Sequence, residues 1–160
     1  MSSISSGRIQ LTGELVYSPK LLGDRISSKW WLTVKSDTGL AKYWRHLYHL
    51  NANRCYKLQR PSWGEHITIV RNEEPPNKKF WEKYAGINIP FYLTPEIYSN
   101  GEYFWMPATC AFGNMIRKEL GLGKPFYDFH FSIGHIPEDD NVQSNSLHRQ
   151  LQAMPPPNVS

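Results

Sequence analysis

Two short segments of the chain carry the same arrangement of residues, and each is typical of a β-strand. Residues 66–70 read His-Ile-Thr-Ile-Val, and residues 130–133 read His-Phe-Ser-Ile, 64 residues further along. The side chains of a strand alternate between its two faces. The histidine and the hydroxyl residue of each segment therefore share one face, while apolar residues occupy the other. Two such strands side by side would place two imidazoles and two hydroxyls around one site.

That set of side chains suits the chemistry of a phosphoester. A neutral imidazole can accept a proton from an attacking hydroxyl or water, and a protonated imidazole can donate one to the departing oxygen. Histidine has an ordinary pKa close enough to neutrality for both roles. The hydroxyls can donate hydrogen bonds to the non-bridging phosphate oxygens. The scheme requires neither a metal ion nor another cofactor, and the residues predicted to be catalytic are His66, Thr68, His130 and Ser132.

The paired motifs, residues 66–68 and 130–132, resemble the signature of the two-histidine (2H) phosphoesterase superfamily. That superfamily includes RNA ligase-like 2′,5′ enzymes, cyclic phosphodiesterases and small phage nucleases. The resemblance covers about residues 29 to 136. It implies an α+β fold of two pseudo-symmetric β/α lobes, with an antiparallel sheet around a central cleft and one motif in each lobe. In its compact size the chain is most similar to phage enzymes that degrade the cyclic-nucleotide signals of bacterial immunity, the anti-CBASS type.

Length and charge are consistent with one domain that has an anionic partner. A chain of 160 residues can bury one sizeable core. The formal net charge of +4 suits a nucleotide, and the basic residues are spread along the chain without a basic tail. No signal peptide and no apolar run long enough to span a membrane is visible. We therefore expect a cytoplasmic protein without membrane contact, in the host cytoplasm if the chain is phage-encoded.

The pattern of apolar residues predicts an α+β order of elements. We expect a flexible leader over residues 1–8, a single domain over 9–137 and a disordered tail over 138–160. The dipeptide Asn100-Gly101 between two strand-like runs predicts a hairpin. The predicted elements are strands over 8–17 and 29–35, a helix from 37 or 38 to 50, a strand over 66–71, a helix over 77–84, strands over 87–98 and 102–110, a helix over 112–120 and a strand over 126–136.

Several aromatic residues near the motifs are candidates to stack on a nucleobase. Most aromatic residues of a globular domain lie in the core, so each candidate also has a purely structural interpretation. The residues predicted to bind substrate in this way are Tyr17, Trp63, Phe126 and Tyr127.

Charged residues near the motifs are candidates to balance the charge of a phosphate. In a regular strand Arg71 has the wrong parity to share the face of His66, so Arg60 and Lys124 are the better candidates.

The same parity argument applies to the second motif. Asp128 shares the face of His130 and could orient its imidazole, although a solvated carboxylate at the strand end is an equally good interpretation. His135 has the opposite parity and is predicted not to be catalytic.

Three functions remain open at this point. The first is a metal-independent phosphodiesterase acting on a small nucleotide, with a cyclic oligonucleotide as the preferred substrate. The second is an RNA end-processing enzyme acting on 2′,5′ linkages or 2′,3′-cyclic phosphates. The third is a non-catalytic module that binds a nucleotide or RNA, which the complete pair of motifs argues against. The dispersed charge favours a small substrate over a polymer, and no protein partner is indicated.

Overall fold

Seven strands and two α-helices make up the part of the chain that the computed structural model describes, residues 7–19, 29–36, 39–51, 57–61 and 64–136. The predicted tail, Trp63 and most of the predicted leader lie outside these residues. The elements are, in order, β1 (Ile9–Tyr17), β2 (Trp31–Lys35), α1 (Leu40–Asn51), β3 (His66–Arg71), a 3-10 turn (Lys78–Phe80), β4 (Asn88–Leu93), β5 (Tyr98–Ser99), β6 (Tyr103–Thr109), α2 (Ala111–Glu119) and β7 (His130–His135).

The strands form one antiparallel sheet that closes on itself. Their order is β4-β1-β2-β3-β7-β6, and β4 also pairs with β6, so that six strands form a barrel. β5 extends the sheet beyond β6. The predicted α+β class, the antiparallel pairing and the hairpin between β5 and β6 are confirmed.

Three predicted elements are shorter in the structure. The strand predicted over 87–98 is divided into β4 and β5, because Pro95 lacks the N–H that a continuous ladder needs. The helix predicted over 77–84 is only a 3-10 turn, and Glu82 leaves the helical region with a φ of 65°. The strand predicted over 126–136 begins at His130, where its pairing with β6 begins.

The two motif strands, β3 and β7, are neighbours at the centre of the sheet order. Each is flanked on its outer side by a strand that precedes it in the chain, β2 beside β3 and β6 beside β7. One helix connects the flanking strand to the motif strand in both cases, α1 in the first half and α2 in the second. The order strand, strand, helix, motif strand therefore occurs twice.

Both motif strands contain a β-bulge directly after the hydroxyl residue. The pairing of β2 with β3 passes from Thr68 to Val70 and omits Ile69. The pairing of β6 with β7 passes from Ser132 to Gly134 and omits residue 133 in the same way. An extra residue in one strand leaves a gap in the ladder and reverses the face to which the following side chains point.

An arginine from a helix binds the carbonyl of each bulged residue. Nη1 of Arg45, in α1, donates a hydrogen bond to the Ile133 carbonyl at 2.7 Å. Nη1 of Arg117, in α2, donates to the Ile69 carbonyl at 2.9 Å. A buried backbone carbonyl without a partner would cost about 1–3 kcal/mol, so these bonds stabilise both bulges. Each helix thereby holds the motif strand of the other half of the chain.

Each of these arginines is in turn paired with a glutamate. Arg45 contacts Glu65, the residue before the first motif histidine, at 3.0 Å. Arg117 is almost fully buried and forms a bidentate ion pair with Glu73. The distance from Nη1 to Oε2 is 2.6 Å, and that from Nη2 to Oε1 is 2.9 Å. The paired carboxylates offset the cost of placing two guanidinium groups against the sheet.

The face of the sheet opposite the histidines is apolar and packs against the helices. Its most buried side chains include Leu32, Val34 and Ile67. In α2 the closest approach is at Gly113, where a Cβ atom would lie 2.6 Å from Cδ1 of Ile69. With this face covered, the polar face of β3 and β7 is the one left for chemistry.

Replacing Glu73 with glutamine tests the buried ion pair that holds the first bulge. The change leaves the buried Arg117 charge without its carboxylate, and we expect the free energy of unfolding to fall by about 2–3 kcal/mol. The expected loss is smaller than the loss for a fully buried ion pair, because the Glu73 side chain is 35% exposed. Chemical denaturation measures the loss.

Glu74→Gln is the matched control, because the neighbouring carboxylate pairs with Lys78 at the surface. Exposed ion pairs contribute little, so this change should leave the denaturation midpoint unaltered. Equal effects of the two substitutions would show that the Arg117 pair does not hold the bulge.

Candidate active site

The four residues predicted to be catalytic are brought together by the pairing of β3 with β7. The central residues of the two motifs, Ile67 and Phe131, are cross-strand partners. Extending this antiparallel register by one residue in each direction places each histidine opposite the hydroxyl residue of the other strand. Side chains opposite each other have Cβ atoms about 4.5–5.5 Å apart. The resulting pairs are His66 with Ser132, and His130 with Thr68.

Each histidine ring is oriented by a hydrogen bond to the backbone carbonyl of the residue two positions earlier. Nδ1 of His66 lies 2.8 Å from the Gly64 carbonyl oxygen, and Nδ1 of His130 lies 3.0 Å from that of Asp128. A carbonyl oxygen only accepts, so Nδ1 carries the proton and donates in both rings, and Nε2 is left for chemistry. Asp128 therefore contacts His130 through its main chain, in place of the carboxylate contact that the sequence suggested.

A turn with a left-handed residue precedes the first motif. Gly64 has a φ of 74°, a conformation that favours glycine because it lacks Cβ. The same residue supplies the carbonyl that binds His66. A larger side chain at this position would strain the turn that orients the imidazole.

The two imidazoles differ in their environments. His66 is buried, with 8% of its surface exposed, whereas His130 is partly exposed. Burial holds the pKa of His66 below its ordinary value of 6.5, although the hydrogen bond to Gly64 opposes this. The charges of His130, Lys35 and Arg71 lower the pKa of His66 further. His66 is therefore neutral at neutral pH.

The bulge at Ile69 places Arg71 on the face of the histidines. Arg71 is the cross-strand partner of Trp31, while Thr68 is the partner of Thr33, and both partners lie on the same face of β2. The guanidinium carbon of Arg71 lies 4.6 Å from the centre of the Trp31 ring. The parity argument against Arg71 is thus wrong, because it assumed a regular strand.

The bulge in β7 has the same consequence for His135. His135 pairs with Tyr103, and Ser132 pairs with Trp105, two residues later on β6. His135 consequently shares the face of the second motif, and its ring centre lies 6.1 Å from that of Tyr103. The expectation that it points away from this face is also wrong, for the same reason.

Two tryptophans that sequence reasoning did not select lie beside the histidines. The ring of Trp31 meets His66 edge-on at 6.0 Å between centres, and Trp105 lies 6.0 Å from His130. Trp31 alternates with Thr33 and Lys35 along β2, so its face was readable from the sequence. Its closeness to His66 depends on which strand pairs with β2, and that information is not local.

Where the structure describes them, the aromatic residues predicted to bind substrate contact other aromatic rings. Tyr17 is the cross-strand partner of Leu32, on the apolar face, and its ring packs against Trp81 at 4.9 Å. Phe126 and Tyr127 are 88% and 73% exposed and contact each other in the segment before β7. Trp63 lies outside the described residues.

The two basic residues favoured from the sequence have different surroundings. Arg60 forms an ion pair with Glu65 at 2.8 Å, so its charge is already offset. Lys124 is exposed, in the loop between α2 and β7. The lysine and the arginine whose charges lower the pKa of His66 are Lys35 and Arg71 instead.

Comparison of the chain with family models, with curated proteins and with solved structures gives no match. Within the described ranges, no group of three or more His, Cys, Asp or Glu side chains is placed to hold a metal ion. No helix in that part of the chain is long and apolar enough to cross a membrane. The case for a function therefore rests on the residues of the site.

Nuclear magnetic resonance of the ring nitrogens tests the orientation of the imidazoles. We expect His66 and His130 to show the tautomer with the proton on Nδ1, because a carbonyl accepts from that nitrogen in both. The titration midpoint of His66 should lie below 6.5, because burial lowers its pKa. A proton on Nε2 of either motif histidine at neutral pH would contradict the site geometry.

Proposed function

We propose that this chain is a metal-independent phosphodiesterase that cleaves a nucleotide by two-histidine acid–base catalysis. The observation that carries the proposal is the antiparallel pairing of Ile67 with Phe131, which sets two imidazoles and two hydroxyls on one face. Pure binding of a phosphate needs no second acid–base group, whereas phosphodiester cleavage needs both a proton acceptor and a proton donor. The Nδ1 bonds leave an Nε2 atom on each ring for these two roles.

The internal repetition of the fold supports the two pseudo-symmetric lobes of the 2H superfamily. Each half contains the order strand, strand, helix, motif strand, the same bulge three residues after the histidine and the same bond from Nδ1 to a carbonyl two residues earlier. Each half also contributes one helix arginine to the other half's bulge. We infer membership of that superfamily from these repeated features together with the motifs.

In the proposed reaction His66 is the general base and His130 the general acid. Neutral Nε2 of His66 accepts the proton of an attacking water or 2′-hydroxyl as its oxygen bonds to phosphorus. The bond from phosphorus to the leaving oxygen breaks, and protonated His130 donates a proton to that oxygen. Thr68 and Ser132 donate hydrogen bonds to the non-bridging oxygens as their charge grows. The assignment follows from the lowered pKa of His66, which keeps it unprotonated at neutral pH.

A cyclic oligonucleotide is the substrate that we propose first. Its small size agrees with a dispersed net charge of +4, which is low for a protein that follows a long nucleic-acid backbone. Degradation of such a signal would be an anti-CBASS activity of a phage protein acting in the host cytoplasm. RNA end processing, on a 2′,5′ linkage or a 2′,3′-cyclic phosphate, is the second candidate, because the same four side chains would serve it.

Substitution of the motif residues tests the mechanism. We expect His66→Ala and His130→Ala each to lower turnover by about 10²- to 10⁴-fold, the usual contribution of a placed proton-transfer group. Thr68→Ala and Ser132→Ala should each cost less, since the proton path remains. The substrates to compare are cyclic di- and trinucleotides, 2′,3′-cyclic mononucleotides, 2′,5′-linked oligomers and single-stranded RNA, with products identified by mass.

The double variant and a chelator provide the controls. Replacing both histidines should be little worse than replacing one, because groups that act as a unit are not additive. Excess EDTA should leave the wild-type rate unchanged. A double variant that keeps the full rate, or a rate abolished by EDTA and restored by a divalent ion, would exclude the mechanism. Tight binding of a substrate without turnover would favour the binding module.

The dependence of kcat/KM on pH tests the assignment of His66. The rate should fall on the acid side as His66 becomes protonated, and this limb should lie below pH 6.5 because its pKa is lowered. Removing a neighbouring cation, as in Lys35→Gln, should raise the pKa of His66 and move the limb to higher pH. Lys42→Gln, on the exposed side of α1, is the control for the change in net charge. An acid limb that is unmoved by Lys35→Gln would contradict His66 as the base.

A further inference from the structure

The two halves of the site share a motif but differ in charge. The cross-strand partner of His66 on β2 is Lys35, whereas the partner of His130 on β6 is Pro107. Five residues after each motif histidine, and on the same face, the first half has Arg71 and the second has a histidine. Both permanent positive charges therefore lie on the His66 side.

Arg71 is held in place by an aromatic ring. Its guanidinium lies over Trp31, and the edge of that ring contacts His66. A guanidinium stacked on an aromatic face keeps its N–H groups directed outward, where they can donate two parallel hydrogen bonds to a phosphate. Arg71 itself is exposed, whereas the ring beneath it is fully buried. The arrangement fixes a cation at the margin of the site.

Neither cation is neutralised by an ion pair with the described residues. Glu14 is the cross-strand partner of Lys35 on β1, yet its carboxylate does not come within ion-pair distance of the lysine. The two helix arginines that contact the sheet, Arg45 and Arg117, are by contrast paired with glutamates. Two unneutralised cations beside a buried imidazole create a positive potential at this margin, which favours binding of an anion there.

A single phosphate at the histidine pair does not account for both cations. Arg71 lies over Trp31, which is four residues from Lys35 on β2. A strand rises about 3.3 Å per residue, so their backbones are roughly 13 Å apart. A phosphate centred between the two imidazoles lies between β3 and β7, whereas Lys35 is on β2, on the other side of β3, and Arg71 is five residues along β3 from His66. The long stems of both side chains can reach an anion that lies between them at the outer margin of the site.

We propose that Lys35 and Arg71 form an anion subsite beside His66 that binds a second phosphate group of the substrate. The inference rests on the proposed function, because it takes the histidine pair as the place of the first phosphate. It narrows the substrate class to nucleotides with at least two phosphates. A cyclic dinucleotide and a linear dinucleotide with a terminal phosphate both have this chemistry.

Binding of two product-like nucleotides tests the subsite without any need for turnover. Adenosine 3′,5′-bisphosphate and adenosine 3′-monophosphate differ by one phosphate, and calorimetry at low salt gives the Kd of each for the full chain. We expect the wild type to prefer the bisphosphate. Lys35→Gln and Arg71→Gln should each reduce that preference by about 10- to 100-fold, the usual effect of removing a hydrogen bond to a charged group.

Arg8→Gln is the matched control for Arg71→Gln. Arg8 also lies over an aromatic ring, that of Tyr92, but on the β1–β4 side of the sheet. This variant changes the net charge equally and should keep the wild-type preference within about twofold. Arg71→Lys retains the charge without the planar group and should lose only part of the preference. An unchanged Tm for each variant shows that its fold is intact.

The outcomes separate the subsite from the proposed function. Equal affinity of the wild type for both nucleotides, binding of neither, or an equal loss in Arg8→Gln would overturn the subsite. Monophosphate affinity that is unchanged in His130→Ala would instead contradict the histidine site, whatever the preference for the bisphosphate. The value of kcat/KM is then compared for a cyclic dinucleotide and for a 5′-phosphorylated linear dinucleotide. The substrate whose second phosphate occupies the subsite should be cleaved more slowly by Arg71→Gln than by the wild type, and the other substrate should not.

Discussion

The hydrogen bonds from Arg45 and Arg117 to the carbonyls of the two bulged isoleucines are the interactions on which the site depends. A bulge interrupts the ladder of a sheet and leaves a carbonyl that needs another donor. Each donor comes from the helix of the opposite half, so neither motif strand is held by its own half alone. The ion pairs with Glu65 and Glu73 keep both guanidinium groups in place.

The bulges determine which residues surround the histidines. Without the extra residue in β3, Arg71 would point to the apolar face, and without that in β7 so would His135. The cation beside Trp31 is thus a consequence of an irregularity in the backbone, and its charge adds to the burial that lowers the pKa of His66. The bulges and their neighbours give the two halves different electrostatic environments, which suits one base and one acid.

Local patterns predicted much of the architecture. The alternation in residues 66–71 predicted β3 with its observed bounds, and Asn100-Gly101 predicted the hairpin of β5 and β6. The predicted α+β class followed from the order of such segments, because alternation with period two and period 3.6 is visible in the chain itself. The motif residues were selected for the same reason, since a histidine and a hydroxyl two residues apart share a face wherever the strand lies.

The sequence by itself determined which side chains share a face of each strand, and so which four residues could act together. Only the tertiary structure decided that β3 and β7 are neighbours, that Tyr17 belongs to the apolar face, and that Trp31, Trp105 and Arg71 belong to the site. The physical reason is that strand pairing and bulges depend on contacts between residues far apart in the chain. The Ile69 carbonyl accepts its bond from Arg117, 48 residues later, and no local pattern around β3 indicates that donor.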